Sequence, residues 1–223
     1  MESEVSVRAL ILAGGDRPDP ALLDAHWPGW RSASLVVAAD GGARHAAPLG
    51  LPLHQVVGDF DSLSAADADE LEAAGVSVSR FPTEKDATDT ELALLAALDA
   101  GATEVTLLCT WGGRSDHAIG TLALLAHPRC STVGVVILDE QTRTQLLRSG
   151  AALSLRGTPG RIISITPWGG DATVSATGVR WPLDAAVLVA GSTRGISNVA
   201  TATESIITAH NGAVLVSEGG GAA

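Results

Sequence analysis

The sequence predicts a mixed α/β chain in two parts. A largely parallel α/β sheet domain is expected over residues 1–140, and a smaller all-β domain over 141–223. Three observations predict this. Apolar strand-like runs alternate with helix-like segments through the first part, which is the signature of right-handed crossovers and a parallel sheet. Near residue 140 that rhythm stops, and short strands with Gly/Pro turns follow without a long helix. The chain of 223 residues, 46% of them hydrophobic, is long enough to bury a sizeable core in each part.

The elements follow in order. "RALILAGG" reads as the first strand, and "LVVAAD" (35–40), "HQVVGD", "VSVSRF", "EVTLLCT" and "TVGVVILD" as the next five. Between them, "SAADADELEAAG", "DTELALLAALDAG" and "DHAIGTLALLAH" read as helices, each stopping near Gly or before Pro. Beyond residue 140, "QLLRSGAALSLRGTPGRIISITPW" reads as strand, turn, strand. "ESIITAHNGAVLVS" reads as two strands joined at Asn211-Gly212, a strong two-residue hairpin signal. No repeat and no long linker is present, so the two parts are expected to pack closely.

Charge narrows the possible partners. The net charge of −11 disfavours a nucleic-acid surface, which needs Lys and Arg against phosphate. An anionic substrate could still bind if metal ions supplied positive charge, and a cationic one would suit the chain's own field. Cys109 and Cys130 form no CxxC pair and read as buried reduced thiols. The longest apolar run falls short of a bilayer span and the stretch "MESEVSVRAL" has no basic n-region before its apolar residues, so a cytoplasmic location away from membranes is expected.

Acidic groups gather where strands end, the side of a parallel sheet at which ligands bind. "AADGGA" places Asp40, Gly41 and Gly42 after the second strand. "VGDFDS" places Asp59 and Asp61 after the third. Residues two apart on an extended segment face the same way. At roughly 5 Å and an effective dielectric near 20, two such charges repel by about 3 kcal/mol. Solvation, a shared proton or a cation must offset that repulsion.

"TEKDATDTE" carries Asp86 and Asp89 at a helix start, and "GGRSDHA" carries Arg114, Asp116 and His117. Each also has a plain structural reading. Thr88 and Glu91 fit a capping box, and Asp89 and Asp116 fit first-turn carboxylates favoured by the helix dipole. No Walker A loop and no GxGxxG fingerprint is present; the chain's single lysine, Lys85, stands beside Asp86 instead. Taken together, four acidic strand-end loops with one Lys and one Arg favour a metal–phosphate site. "LAGG" (12–15) reads as an ordinary turn.

In the β-rich part, "GSTRGISN" (191–198) offers Ser192, Ser197 and Asn198, with Gly191 and Gly195 permitting a tight backbone. Trp27, Trp30, Trp111 and Trp168 read as packing. Trp181 reads equally as packing or as a platform on which a flat ring could stack.

The order "ADGGA", "GDFDS", "EKDATDTE", "GGRSDH", "GSTRGISN" resembles the thiamine pyrophosphokinase (thiamine diphosphokinase) family, over about residues 9–217. The resemblance implies an α/β domain followed by a β-sandwich-like domain, a homodimer with thiamine at the subunit interface, and Mg²⁺-dependent transfer of pyrophosphate from ATP to thiamine. By motif, Asp59, Asp61 and Asp89 correspond to the metal carboxylates, and with Arg114 and Asp116 to the catalytic set. Asp40, Gly41, Lys85, Asp86, Thr88 and His117 correspond to residues near ATP and its phosphates. Trp181, Ser192, Ser197 and Asn198 correspond to residues near thiamine. A diphosphokinase for another alcohol, such as a hydroxymethyl pterin, is the alternative enzyme. A non-catalytic nucleotide or thiamine sensor is the alternative of another class.

Overall fold

The structure, a computed structural model, describes residues 6–61 and 65–221. The chain divides into two compact units between Glu140 and Gln141.

In the first unit six strands pair in parallel: β1 (Val7–Leu12), β2 (Leu35–Ala39), β3 (Gln55–Gly58), β4 (Ser77–Arg80), β5 (Ala102–Leu108) and β6 (Gly134–Leu138). Their order across the sheet is β4-β3-β2-β1-β5-β6. From β1 the chain winds outward to β4 and then returns to the far side of β1 as β5. The reversal between β1 and β5 is a topological switch point, where crossovers leave in opposite directions and a crevice opens at the strand ends.

The described α-helices of this unit are α1 (Pro20–His26), α2 (Ala65–Ala73), α3 (Asp89–Asp99) and α4 (Ser115–Leu124). Asp19 caps α1 by accepting from the Ala21 N–H at 2.8 Å, with Pro20 at the first helical position. Ala93, Leu94 and Ala97 line the buried face of α3. Leu10, Leu12, Val36, Ala38 and Val56 from the sheet share a core with Trp30, 8% exposed, and Trp27 packs at its edge. Both of these tryptophans are packing residues, as the sequence suggests. Cys109 and Cys130 are buried and outside any disulfide, as the sequence reading expects. No described helix is long and apolar enough to cross a membrane.

The second unit holds β7 (Thr142–Leu147), β8 (Ala152–Arg156), β9 (Arg161–Thr177), β10 (Leu183–Leu188), β11 (Asn198–Val199) and β12 (Glu204–Gly221). The described pairings within it are antiparallel. The expected hairpin at Asn211-Gly212 does not form. β12 runs through as one strand, with register breaks on both sides of Asn211. Gly212 supplies a positive φ of 74° for a bulge rather than a turn, because the partner β9 loops out at the same level: Asn211 pairs with Thr173 but Ala213 with Trp168.

The bulge divides β9 and β12 into halves with different neighbours. One half of β9 pairs β10 and the other pairs β11; likewise β12 pairs β8 with one half and β7 with the other. Ile163, Ile165, Val214 and Val216 from one side share a single core with Val174, Ala176, Ile207 and Ala209 from the other. Strands whose halves enclose one core give the sandwich-like β unit that the resemblance implies.

Candidate active site

A cavity of about 370 Å³ opens at the carboxyl ends of β1, β2 and β5, beside the switch point. Close backbone approaches shape it. The Ala13 N–H donates to Leu108 O at 2.9 Å and the Gly15 N–H to Cys109 O at 2.8 Å, so the loops after β1 and β5 run together. A Cβ at Gly15 would overlap the carbonyl oxygens of Cys109 and Trp111, which explains why glycine stands there. His45, buried in the short 3-10 helix after β2, places Nε2 3.0 Å from Gly15 O and ties a third loop to the same point.

Three carboxylates converge at this mouth. Ligand oxygens of Asp40, Asp59 and Asp89 all lie within 4.8 Å of one another. Asp40 reaches the group because its backbone turns sharply after β2, with φ at 43°, and because β3 offers no side chain at Gly58, where a Cβ would sit 2.8 Å from Asp40 Cβ. Asp89 comes from the first turn of α3, whose N-cap Thr88 accepts from the Glu91 N–H at 3.2 Å. The capping reading of "TDTE" and the clustering of Asp89 therefore both hold.

Lys85 stands among the carboxylates. Its Nζ donates to Asp59 Oδ2 at 2.8 Å and lies 3.0 Å from Asp89 Oδ1. The Lys85 hydrogen bond holds the Asp59 carboxyl below its ordinary pKa. Burial pushes Asp89 up, with Lys85 opposing. Burial also works against the Lys85 charge, but Asp59 and Asp89 outweigh it and its pKa is raised. Asp40 Oδ1 and the cavity-lining Thr110 Oγ1 are buried without a hydrogen-bond partner, and Asp89 Oδ1 has the Lys85 ion pair but no hydrogen bond.

Other residues singled out in the sequence lie apart from this cluster. Asp61 is exposed and is not among the gathered carboxylates. The rule of i and i+2 fails here because Phe60 adopts φ 61°, so Asp59-Phe60-Asp61 is not extended. Arg114 lines the cavity and pairs with Asp116, Nη2 to Oδ2 at 2.6 Å, and both side chains are largely exposed. This hydrogen bond with Arg114 lowers Asp116 to about 2. Asp116 also accepts from the His117 N–H at 3.1 Å, as a first-turn carboxylate should, and is not among the cavity-lining residues. Gly41 and His117 do line it, whereas Asp86 and Thr88 are exposed outside it.

In the second unit, Asn198 is buried and fully engaged. Its Oδ1 accepts from the Trp181 N–H at 3.1 Å and the Val199 N–H at 2.9 Å, and its Nδ2 donates to Trp181 O at 2.7 Å. The Trp181 ring is 55% exposed, with the Arg180 guanidinium 5.1 Å from its centroid. Trp181 is thus presented rather than packed. Ser192 Oγ accepts from the Arg194 N–H at 3.3 Å, and the Ser197 N–H donates to Ser164 Oγ at 3.0 Å. Ser197 has a φ of 61°.

The sequence reading missed Gly14, Gly15, Arg44 and Thr110, all of which line the cavity. Arg44 Nη2 donates to Gly14 O at 3.2 Å. The strand-end rule that selected Asp40 and Asp59 would also have selected "LAGG", had β1 been placed at the switch point.

Comparison with known proteins agrees with this division. The family model for the thiamin pyrophosphokinase catalytic domain matches residues 27–137, and that for the thiamin pyrophosphokinase vitamin B1 binding domain matches 152–214. A curated relative, the thiamine pyrophosphokinase of Bacillus subtilis, is 29% identical over 193 residues, covering 84% of this chain and 87% of its own. The crystal structure of a thiamin pyrophosphokinase family protein from Enterococcus faecalis is 26% identical with a TM-score of 0.81, over 97% of this chain and 100% of that one. Yeast thiamin pyrophosphokinase, 17% identical, shares the fold at a TM-score of 0.78 over 98% and 88% of the two chains. With both family models matched in order along its two units, the chain belongs to the thiamine pyrophosphokinase family.

Proposed function

We propose that the chain transfers the pyrophosphoryl group of ATP to the hydroxyl of thiamine, giving thiamine diphosphate and AMP. The observation that carries this is the cluster of Asp40, Asp59 and Asp89 beside a strand-end cavity, in a chain of this family. The pterin alternative lacks comparable support, since residues 152–214 match a vitamin B1 binding domain.

The cluster suits a hard divalent cation such as Mg²⁺: its donors are carboxylate oxygens, and Asp40 Oδ1 is buried without a partner. Bound there, the ion would neutralise charge on the phosphoryl oxygens as the thiamine hydroxyl displaces AMP, a contribution of several kcal/mol. Asp40, Asp59 and Asp89 hold it in this reading. Asp61 is assigned by motif alone and awaits the comparison of variants below.

Residues 1–140 form the ATP and metal half, in which Arg114, His117 and the Gly41 backbone face the nucleotide and Lys85, Asp86, Thr88 and Asp116 stand at its edge. Residues 141–223 form the thiamine half. The exposed indole of Trp181 suits the thiazolium cation, and Ser192 and Ser197 lie on the neighbouring loop while Asn198 fixes the Trp181 backbone. Trp181, Val187, Val189 and Ile196 leave apolar surface on this unit, which supports pairing with a second copy as a homodimer. Two buried cysteines outside any disulfide suit a reducing cytoplasm.

Incubation with ATP, Mg²⁺ and thiamine tests the reaction. AMP and thiamine diphosphate are expected in equal amounts. ADP with thiamine monophosphate would overturn pyrophosphoryl transfer.

A further inference from the structure

The chain's one lysine pairs with two of the three clustered carboxylates. Lys85 Nζ is 2.8 Å from Asp59 Oδ2 and 3.0 Å from Asp89 Oδ1, and its side chain is 14% exposed. A divalent ion taking these same oxygens, at the roughly 2.0–2.6 Å of hard-cation coordination, would press directly against the ammonium. Two positive charges with no water between them repel strongly. Yet Lys85 is an incomplete substitute for an ion, since Asp40 Oδ1 remains buried and without a hydrogen-bond partner. One positive charge faces three carboxylates.

We propose that Lys85 is a built-in competitor for the metal, which occupies the carboxylate site until nucleotide phosphates draw it away. The inference rests on the reading of Asp40, Asp59 and Asp89 as the metal site. A lysine suits the part: its ammonium is a compact point charge on a flexible stem and can exchange a carboxylate for a phosphate without a planar fit. Its surroundings suit it too. Residues 81–84 and 86 are exposed and lie outside any helix or strand, so the stem can swing. Departure of Lys85 onto phosphate opens the carboxylates at the moment nucleotide arrives. The metal then enters with its nucleotide, and the nucleotide-free enzyme holds the ion weakly.

Titration with Mn²⁺, followed by the paramagnetic signal of the free ion, tests this on the full chain. Without nucleotide, Lys85→Met should bind Mn²⁺ roughly tenfold more tightly than wild type, within the 5- to 150-fold span of ordinary coupling between sites. A non-hydrolysable ATP analogue should then tighten Mn²⁺ binding less in the variant than in wild type. Lys85→Gln should behave alike, and Mn²⁺ alone should raise the melting temperature of both variants more than that of wild type. Asp89→Asn supplies the control, losing Mn²⁺ binding with or without the analogue. If Asp89→Asn loses the ion while Lys85→Met and Lys85→Gln bind it no more tightly than wild type, competition is refuted and the metal site stands. If Asp89→Asn binds Mn²⁺ as wild type does, the metal assignment falls and the competition falls with it.

Discussion

At the mouth of the first unit, Asp40 Oδ1 and Thr110 Oγ1 are buried with no hydrogen-bond partner, and two of the three clustered carboxylates share one ammonium. In the second unit, by contrast, Asn198 gives its side-chain oxygen and nitrogen to the Trp181 and Val199 backbone, and the Ser192 and Ser197 contacts stay within the fold. Both regions were marked by polar motifs of similar length. The first keeps polar groups unsatisfied, which is costly unless a ligand completes them. The second satisfies its polar groups internally and leaves an aromatic face outside. Polar motifs in sequence therefore point to two kinds of site: one in which the named side chains bind, and one in which they position the residue that binds.

The strongest challenge to this comparison is at the carboxylates. Asp89→Asn should lower turnover by about 10²- to 10⁴-fold, since loss of a metal ligand removes several kcal/mol and each 1.36 kcal/mol is tenfold. Asp61→Asn should cost far less, because Asp61 lies outside the cluster. Equal losses in the two variants, measured at saturating Mg²⁺, would place Asp61 among the ligands and contradict the described geometry.

The second unit is tested by separating positioning from contact. Asn198→Ala strands the Trp181 carbonyl and two N–H groups, and should lower stability by about 1–3 kcal/mol in chemical denaturation. Trp181→Ala removes an exposed ring, so the melting temperature should hardly move. Its thiamine KM should nevertheless rise about 2- to 30-fold, for a contact of roughly 0.5–2 kcal/mol, with the ATP KM unchanged. A destabilised Trp181→Ala with normal thiamine KM would make this ring a packing element.

The smallest effect concerns how the first unit's loops are pinned. Burial lowers the His45 pKa below its ordinary 6.5, with Arg44 adding to the effect. Near and below pH 6.5 the unfolded chain thus binds more protons than the folded one, so this contribution favours folding at neutral pH. It declines as pH falls through 6.5 and levels off below the folded pKa. His45→Gln, which can still donate toward Gly15 O, should flatten part of the stability loss between pH 7 and pH 5. An unchanged pH slope in urea denaturation would show that His45 does not contribute to it.

The parallel sheet was legible because alternating apolar runs and helix signals leave few topologies; Asp40 and Asp59 stood out because they follow strands, and Asp89 because it opens a helix. The alternation argument for Asp59 and Asp61 failed because sequence carries no sign that Phe60 takes a left-handed backbone, and alternation applies only to extended chain. The Asn211-Gly212 pair misled for a related reason. It does mark positive φ, at Gly212, but whether that φ makes a turn or a bulge depends on the partner strand, 38 to 45 residues away in sequence. Lys85 was noticed for being alone. Its position between two carboxylates is a tertiary fact that no local pattern encodes.

The 18-residue β12 has a bearing on how the molecule is made. It pairs with β7, β8 and β9, yet it is the last of these strands to leave the ribosome. Until Glu204–Gly221 has been synthesised, the other three lack their common neighbour, and the second unit can offer only loose hairpins. The first unit needs nothing beyond β6 to close its parallel sheet and can fold while the second is still being translated. The nascent chain therefore passes through an interval in which one unit is folded and the other exposes unpaired strand edges, with Ile163, Ile165 and Val174 still outside a core. Translation speed over the final strand sets how long that interval lasts.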